Sequence, residues 1–244
     1  HDQNICGNEV KFPNSGRIYR VMPTGVKDTV TPDLSAMSDI ELVEYQLHSN
    51  DWFVRHARTL LQYRQASGTL NRKVVHQKLS DILNTTSEPS KRLRALWALH
   101  VTDGLAVNRL YELLNDTDEH VRAWSIQFLC DVSESNAFQP ERNADWVLEP
   151  DVLQKLAAMA KDDPSQVVRL YLASAVQRLP FAKRWSILQG LISHAEDVSD
   201  NNLPRMYWFA LEPMVPEYPR ESLELVMAGT CLLYTSPSPR DLLK

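Results

Sequence analysis

One pattern of polar and apolar positions recurs along the chain and predicts its main elements. A short polar turn precedes an arginine, and apolar or aromatic residues then follow at spacings of three and four. Residues at these spacings share one face of an α-helix. The clearest copy runs from Asn115 to Ser133, with the turn Asp116-Thr117-Asp118 before Arg122. The arginines of the five copies are Arg55, Arg94, Arg122, Arg169 and Arg205.

Alignment on these arginines places similar residues on one helix face. The residue before the arginine is Val54, Leu93, Val121, Val168 or Pro204. Three residues after that position stand Ala57, Leu96, Trp124, Tyr171 and Tyr207, and four residues after it stand Arg58, Trp97, Ser125, Leu172 and Trp208. Seven residues after it stand Leu61, His100, Phe128, Ala175 and Leu211. Five helices, each with one mainly apolar face, are therefore expected.

Each of these helices is expected to pair with an earlier helix. The candidates are Asp39–Leu47, Arg72–Leu83, Leu105–Leu114, Asp151–Ala160 and Lys183–His194, with a sixth helix starting near Arg220. Ser38 and Glu41 predict a capping box at the first of them. Pro164 and Pro204 suit the first turn of a helix, where no N–H partner is lost. A longer loop is expected at Ser133–Pro150.

The polar turn, the Val-Arg step and the small or aromatic helix residues resemble HEAT repeats. A single helical pair cannot bury its apolar stripe, but stacked pairs bury it against their neighbours and form a solenoid. The predicted fold is all-α: a right-handed α-solenoid of about five HEAT-like helical pairs over residues 38–230, with a short β remnant at the N-terminus.

The two ends of the chain differ from this repeat region. Residues 1–23 contain the alternating stretch Arg17–Val21, which predicts the last strand of a β-propeller domain whose other strands lie upstream. Residues 24–37 form a linker. The chain begins at His1 without a signal peptide and is expected to be cut from a longer protein. Cys231–Asp241, CLLYTSPSPRD, reads like a translated sequencing adaptor, so residues 231–244 are expected to be a non-native tail.

Composition narrows the classes of function. The formal net charge is −5, which argues against a nucleic-acid-binding surface. No apolar run approaches the roughly 20 residues that cross a bilayer. Cys6, Cys130 and Cys231 form no C-x-x-C pair, and the glycines form neither G-x-G-x-x-G nor a Walker loop. No catalytic, cofactor-binding or metal-binding residue is therefore assigned in this chain.

Several sequence segments carry a closer resemblance to one group of proteins. They are HDQNICG with GRIYRVMP (1–7 and 16–23), NDWFVRHARTLLQ (50–62), RALWALHVTDGL (94–105), DEHVRAWSIQFLCD (118–131) and VVRLYLASAVQRLP (167–180). Together they resemble the bacterial PVC-type haem-binding proteins, also called membrane-bound dehydrogenase-domain proteins. Such proteins join a sugar-dehydrogenase-like propeller, HEAT-like repeats and a cytochrome c module. The resemblance implies an exported, periplasmic redox protein that carries haem c, with PQQ as a further candidate cofactor, both outside this fragment.

The arginines of the five copies, which we call the arginine column, allow two interpretations. Acidic residues precede most of its members, namely Asp51, Asp118, Asp162 or Asp163, and Asp200. The arginines could form an anion-binding stripe along the solenoid. The favoured interpretation is a series of Asp–Arg pairs between neighbouring repeats that also cap the helices, with Asp118 paired to Arg122. An exposed pair of this kind contributes only about 0–1 kcal/mol.

Other residue types allow a site but favour a structural role. His100, between Trp97 and Val101, is expected to be a hydrogen-bonded core histidine, and His56 and His120 are expected to be exposed. His1, Asp2 and Cys6 could serve a ligand site of the propeller, although a structural turn is favoured. The aromatic side chains could stack on sugars or bases, but their period favours core packing; they are Trp97, Trp124, Tyr171, Tyr207 and Trp208. Cys130 is expected to be a small buried apolar residue.

Three functions remain open. The favoured one is a non-catalytic spacer and docking scaffold that holds the propeller and cytochrome domains of one chain for electron transfer. The first alternative is a stand-alone HEAT-like adaptor that binds another protein. The second is part of a sugar or alcohol dehydrogenase whose catalytic residues lie outside this fragment. Membrane insertion and nucleic-acid binding are not expected.

Overall fold

The computed structural model describes residues 24–25, 32–131 and 148–229. The chain divides into two compact units, His1–Asp33 and Leu34–Lys244. The first unit is described at its turn Thr24-Gly25 and at residues 32–33 only. The predicted N-terminal strand, most of the predicted loop at 133–150 and the adaptor-like tail lie outside the described residues.

The described part of the second unit contains eleven α-helices and no strand. They are α1 Asp39–Glu44, α2 Asp51–Ala66, α3 Arg72–Thr85, α4 Pro89–Val101, α5 Val107–Leu113, α6 Glu119–Leu129, α7 Pro150–Asp162, α8 Gln166–Val176, α9 Trp185–Ile192, α10 Leu203–Leu211 and α11 Pro219–Ala228. Short 3-10 turns cover Leu34–Ala36, Tyr45–Leu47, Phe181–Lys183, Ala195–Ser199 and Glu212–Met214. All five predicted helical pairs and the start of the sixth helix are present.

The helices stack as an α-solenoid, as predicted. Each odd-numbered helix from α1 to α9 contacts the helix that follows it, which gives five pairs. The second helices of the pairs form one row, in which α2 contacts α4, α4 contacts α6, α6 contacts α8 and α8 contacts α10. First helices also meet, as α1 with α3 and α7 with α9. Stacking lets every amphipathic helix bury its apolar face against a neighbouring repeat.

Helix α4 has a different register from the one expected. The arginine is the fourth residue of α6 and α8, at Arg122 and Arg169, and the fourth residue of α4 is Arg92 rather than Arg94. The buried residues agree with this shift, since Leu96 and Leu99 of α4 stand where α6 has Ile126 and Leu129. The alignment on Arg94 is therefore wrong by two residues, because local apolar spacing tolerates either arginine.

Three ion pairs connect the second repeat to the third, the third to the fourth and the fourth to the fifth, and we call them the inter-repeat pairs. Arg92 Nη1 and Nη2 donate to the two Asp116 carboxylate oxygens at 2.9 and 2.6 Å. Arg122 binds Asp163 at 2.8 and 2.9 Å through its Nε and Nη2. Arg169 binds Asp197 at 2.7 and 2.6 Å through the same two atoms. The predicted pairing between neighbouring repeats is present, with partners that differ in part from those expected.

The predicted capping role of Asp118 is confirmed, whereas its predicted pairing with Arg122 is wrong. Asp118 is the N-cap of α6, and its carboxylate accepts hydrogen bonds from the backbone N–H groups of His120 and Val121 at 3.0 Å. Helix termini leave such N–H groups without intrahelical partners, and Asp is among the preferred residues for satisfying them. Asp118 is therefore already engaged, and Arg122 reaches across to the next repeat.

Caps account for where several helices begin. Ser38 and Glu41 form the predicted capping box at α1. Asn50 caps α2 and Ser165 caps α8 through their side chains. Because Ser165 is the cap, Pro164 lies outside α8, contrary to the prediction for it. Pro204 does occupy the first turn of α10, and other prolines begin α4, α7 and α11.

Two apolar clusters fill the interior of the described repeat unit. One joins residues from Leu34 to Val121, and the other joins residues from Leu110 to Leu225. Helices α5 and α6 contribute residues to both, such as Leu113 to the first and Leu110 to the second. Leu34, in the predicted linker, is buried in the first cluster, so the helical unit begins slightly before Ser38. Cys130 is buried as expected.

Candidate functional site

An open groove of about 580 Å³ lies along the row of second helices. Its walls come from the N-terminal half of α2, from most of α4 and from α6, so three successive repeats build it. The lining residues are Asp51, Arg55, Arg58, Ser90, Leu93, Arg94, Trp97, His100, Val101, Trp124 and Phe128. This volume lies within the range of roughly 300–1,000 Å³ that is common for ligand sites.

One wall of the groove is aromatic. The rings of Trp97 and Trp124 meet edge to face with centroids 5.1 Å apart. Trp124 contacts Phe128 at 5.4 Å, and Phe128 stacks on His100 at 3.8 Å. Edge-to-face and offset-stacked pairs are favoured because the face of a ring is negative and its edge positive. The four rings form a continuous surface from α4 to α6 that is partly open to the groove.

The helix-face period predicts core packing for the aromatic residues, and this prediction holds without change for only one of them. Tyr207 is 2 % exposed. Trp97, Trp124, Tyr171 and Trp208 are half-buried, and the two first-named tryptophans line the groove. A tryptophan on the helix face can pack by its inner edge while its outer face stays accessible, and periodicity does not distinguish that arrangement from full burial.

The other side of the groove carries three arginines and one carboxylate. Asp51 accepts from Arg55 Nε at 2.6 Å and from Arg94 Nη2 at 3.3 Å. Arg94 also donates to the backbone oxygen of His48 at 3.0 Å. The Arg58 guanidinium lies over the Trp97 ring, 5.2 Å from its centroid, in a cation–π contact. One aspartate thus serves two arginines, and the groove keeps an excess of positive charge.

Arg58 and Trp97 each have a buried N–H group without a hydrogen-bond partner in the described part of the chain. The atoms are Arg58 Nη1 and Trp97 Nε1. Burial lowers the pKa of Arg58 from its ordinary value; Asp51 opposes this effect, and the charges of Arg55 and Arg94 add to it. A buried donor that lacks an acceptor loses its hydration without compensation, so a ligand acceptor at either atom would be stabilised.

Arg58 is a groove residue that the repeat pattern did not single out, although the sequence holds a signal for it. It is the one charged residue in a helix-face column that otherwise holds Trp97, Ser125, Leu172 and Trp208. A charged residue in a predominantly apolar column indicates either a buried ion pair or a binding site. Within the described residues no carboxylate forms an ion pair with Arg58, whose guanidinium instead contacts the Trp97 ring in the groove.

The five arginines of the predicted anion-binding stripe do not share one surface role. Arg122 and Arg169 are occupied by the aspartates of the inter-repeat pairs. Arg55 and Arg94 line the groove and share Asp51. Arg205 is exposed. A stripe along the whole solenoid is therefore not formed, and positive charge that could meet a ligand is concentrated at the first two repeats.

The histidines and the acidic residues make no metal centre among the described residues. No group of three or more His, Cys, Asp or Glu side chains there could hold an ion. His100 is not the core histidine that was predicted; it lies at the groove edge with Nε2 3.8 Å from Asp131, and burial lowers its pKa despite the nearby Asp131 and Asp103. His56 and His120 are exposed, as predicted. His1, Asp2 and Cys6 lie outside the described residues.

The acidic residues of the later turns have separate structural places. Asp163 is the partner of Arg122 in the inter-repeat pairs, whereas its neighbour Asp162 is exposed at the end of α7. Asp200 accepts hydrogen bonds from the N–H groups of Asn202 and Leu203 at the start of α10. These carboxylates therefore organise turns and repeat contacts rather than one shared site.

Covalently attached haem c, one of the cofactors implied by the resemblance, does not fit the described residues. Covalent attachment of a c-type haem uses two cysteines followed by a histidine, in C-x-x-C-H. In the part of the chain that the structure covers, Cys130 has no second cysteine beside it, and its thiol is buried. Burial raises the pKa of this thiol to about 12, which keeps it protonated and unreactive at neutral pH.

A search for membrane-crossing helices among the described residues found none of sufficient length and apolar character.

Comparison with protein families assigns the central part of the chain. Residues 77–177 match the family model of HEAT repeats. The matched stretch extends from within α3 to the end of α8 and includes the α4 and α6 walls of the groove. This region therefore consists of HEAT-like repeats. No curated protein and no solved structure matches the chain.

Proposed function

We propose that this chain is a non-catalytic HEAT-repeat scaffold that binds a protein partner along its second helices. The observation that carries the proposal is the groove, because three repeats contribute to one surface with aromatic and basic side chains. HEAT-type arrays use such extended surfaces for protein interaction. The inter-repeat pairs support the scaffold role, since they tie the second to fifth repeats to one another.

The more specific form of the proposal places the scaffold inside a longer bacterial redox protein. In that setting the repeats would be a spacer between a propeller dehydrogenase and a cytochrome c module, exported to the periplasm. The support is the set of sequence phrases in residues 1–23, 50–62, 94–131 and 167–180. The cofactors of that protein, haem c and PQQ, would belong to its other modules and not to the described repeats.

The DNA that flanks the reading frame tests this setting most directly. A propeller sequence upstream and a C-x-x-C-H motif downstream are the expected result. If the flanking DNA encodes neither, the spacer role is rejected, and the scaffold would act as a stand-alone adaptor. The same DNA sequence decides whether residues 231–244 derive from a sequencing adaptor.

A functional test follows if both neighbours are found. In the full-length protein, deletion of the α7–α8 pair, residues 150–176, should change the spacing and angle between the outer modules. We expect slower substrate-driven reduction of the cytochrome, while dye reduction by the propeller module alone stays unchanged. An unchanged cytochrome reduction rate would show that the repeats do not set the geometry of transfer. Sugar-dependent dye reduction by the present chain alone would contradict the non-catalytic assignment.

A further inference from the structure

The groove carries more positive charge than its own residues neutralise. Arg55, Arg58 and Arg94 line the groove together with one carboxylate, that of Asp51, in a chain whose formal net charge is −5. In the inter-repeat pairs, by contrast, each arginine has a carboxylate of its own. This local excess favours an anionic ligand over a cationic or neutral one.

Arg58 locates the preferred position of that negative charge. Its Nη1 is shielded from solvent and has no hydrogen-bond partner in the described part of the chain, while the guanidinium rests on Trp97. Removing a guanidinium from water is costly unless a partner replaces the lost hydration. A carboxylate matches the planar guanidinium fork and can accept two N–H groups at once. An incoming carboxylate would therefore offset a cost that the free protein already bears.

The remaining features of the groove suit a peptide. Trp97 Nε1 is a second buried donor without a partner among the described residues, and a backbone carbonyl oxygen is the acceptor that every peptide residue offers. The rings of Trp97, Trp124 and Phe128 provide an apolar wall next to Arg58. Anion, carbonyl and apolar side chain are thus accommodated side by side. An extended segment with an acidic residue beside an apolar one supplies all three groups.

We infer that the groove between α2, α4 and α6 binds a partner-protein segment in which Asp or Glu adjoins an aromatic or aliphatic residue. The carboxylate binds Arg58, with Arg94 nearby; the apolar side chain packs on Trp97, Trp124 and Phe128. This inference rests on the proposed scaffold function and specifies the partner chemistry. The occupant is a protein segment rather than a free small carboxylate, because the groove is open along three repeats and combines basic and aromatic side chains over that length.

The test is a selection of random peptides, displayed with blocked termini, on the purified full chain. We expect enrichment of sequences with Asp or Glu next to Phe, Trp, Tyr or Leu. Binding of one enriched peptide should then be measured by calorimetry, together with its Gln-for-Glu counterpart. Loss of the carboxylate should weaken binding about tenfold, as expected when one charge-assisted contact is lost.

Matched variants place the contact at Arg58. Arg58→Gln should remove the preference for the acidic peptide over the Gln peptide, whereas Arg58→Lys should keep part of it. Arg205→Gln makes the same chemical change at an exposed residue of α10 outside the groove and should leave both affinities unchanged. Circular dichroism of each variant checks that the helices remain folded.

Several outcomes would overturn the inference. No enrichment, or enrichment without acidic residues, would reject the partner chemistry but leave the scaffold proposal intact. The scaffold proposal is tested separately, by the flanking DNA and by the α7–α8 deletion. Equal loss in Arg58→Gln and Arg205→Gln would reject the groove as the site. Hydrocinnamate, a free aromatic carboxylate, should bind far more weakly than the peptide. Equal affinity of hydrocinnamate would assign the groove to a small molecule instead of a protein segment.

Discussion

Asp197 is the most completely enclosed acidic residue in the described part of the chain. It is 0 % exposed and accepts hydrogen bonds from Arg169, from Tyr207 Oη at 2.7 Å and from Gln166 Nε2 at 3.2 Å. Arg169 is itself 2 % exposed, and its Nη1 also donates to the backbone oxygen of Asp163 at 3.0 Å. This cluster joins α8, the 195–199 turn and α10 through hydrogen-bonded polar groups, which is the condition under which buried ions are tolerated.

Asp197→Asn should destabilise the chain strongly. The substitution leaves the buried Arg169 charge with only the exposed Glu196 carboxylate, 3.4 Å away, as a counter-ion. Loss of one partner from a buried pair costs about 3–5 kcal/mol. Chemical denaturation monitored by circular dichroism measures this loss. Asp162→Asn is the matched control, since Asp162 is the exposed last residue of α7. Similar stabilities for the two variants would contradict the assigned role of the cluster.

The same cluster should make stability depend on acid pH. Burial by itself would raise the pKa of Asp197, but hydrogen bonds from Arg169, Tyr207 and Gln166 outweigh burial, so its pKa lies below the ordinary value. A carboxyl whose pKa is lowered by folding adds stability above its unfolded pKa, about 3.9, and loses it as the pH falls through the lower folded value. The stability gap between wild type and Asp197→Asn should therefore narrow below about pH 4. A gap that is constant with pH would reject this linkage.

Asp116 and Asp118 are two residues apart and should respond differently to substitution. Asp118→Ala removes a helix cap, which costs about 1 kcal/mol. Asp116→Ala leaves partly buried Arg92 without its carboxylate and also removes an acceptor for the Asp118 N–H, so about 2 kcal/mol is expected. Urea denaturation of both variants compares the two losses. A larger loss for Asp118→Ala would favour the pairing of Asp118 with Arg122 that the sequence pattern predicts.

At the scale of elements, a close approach between two helices depends on a glycine. A Cβ atom on Gly190 of α9 would lie 2.9 Å from the backbone nitrogen of Lys161 and 3.0 Å from the carbonyl carbon of Ala160, both on α7. Backbone atoms cannot rotate away as a side chain can. The absence of a side chain at Gly190 therefore lets α7 and α9 pack at this distance.

Gly190→Ala should destabilise the chain although alanine is the better helix former. Helix propensity alone would add up to about 1 kcal/mol of stability. Overpacking against α7 is expected to cost about 1–3 kcal/mol and to prevail. Thermal denaturation gives the sign of the change. Ser186→Ala, at an exposed position of the same helix, should change stability by less than about 0.5 kcal/mol. A stabilised Gly190→Ala variant would contradict the close approach.

A second element-scale feature is Arg184, which joins helix ends. It is 1 % exposed, and it donates to the backbone oxygens of Leu179 at 2.8 Å, Ala210 at 2.9 Å and Gln177 at 2.6 Å. Gln177 caps the end of α8, where carbonyl groups lack intrahelical partners and the helix dipole favours a cation. Arg184 does not belong to the arginine column, and nothing in the local sequence pattern marks it as buried.

At the scale of the whole described repeat unit, the two apolar clusters should limit how far a local defect spreads. In stacked repeats each unit contacts only its neighbours, so stability is a sum of local and nearest-neighbour terms. Leu83 belongs to the first cluster and Leu172 to the second, and both are at most 1 % exposed.

Leu83→Ala should therefore expose amides mainly in α1–α4, and Leu172→Ala mainly in α7–α10. Each substitution removes about 2–5 kcal/mol of packing free energy at its own site. Native-state hydrogen exchange with mass spectrometry locates the loss of protection for each variant. Equal loss of protection over both halves in either variant would mean that the repeats unfold as one cooperative unit.

The helical pairs follow from the sequence alone, because amphipathic periodicity, caps and polar turns are local properties that act within a few residues. The five second helices, the burial of Cys130 and the capping box at Ser38 were all predictable in this way. The partners of the charged residues depend instead on the tertiary structure, since Arg92 and Arg94 are equally compatible with the local pattern. Which arginine meets Asp116 is set by where the next repeat brings its turn. The groove has the same origin: Arg58 and Trp97 lie on different helices, and stacking of α2, α4 and α6 is what places a half-buried guanidinium beside an aromatic wall.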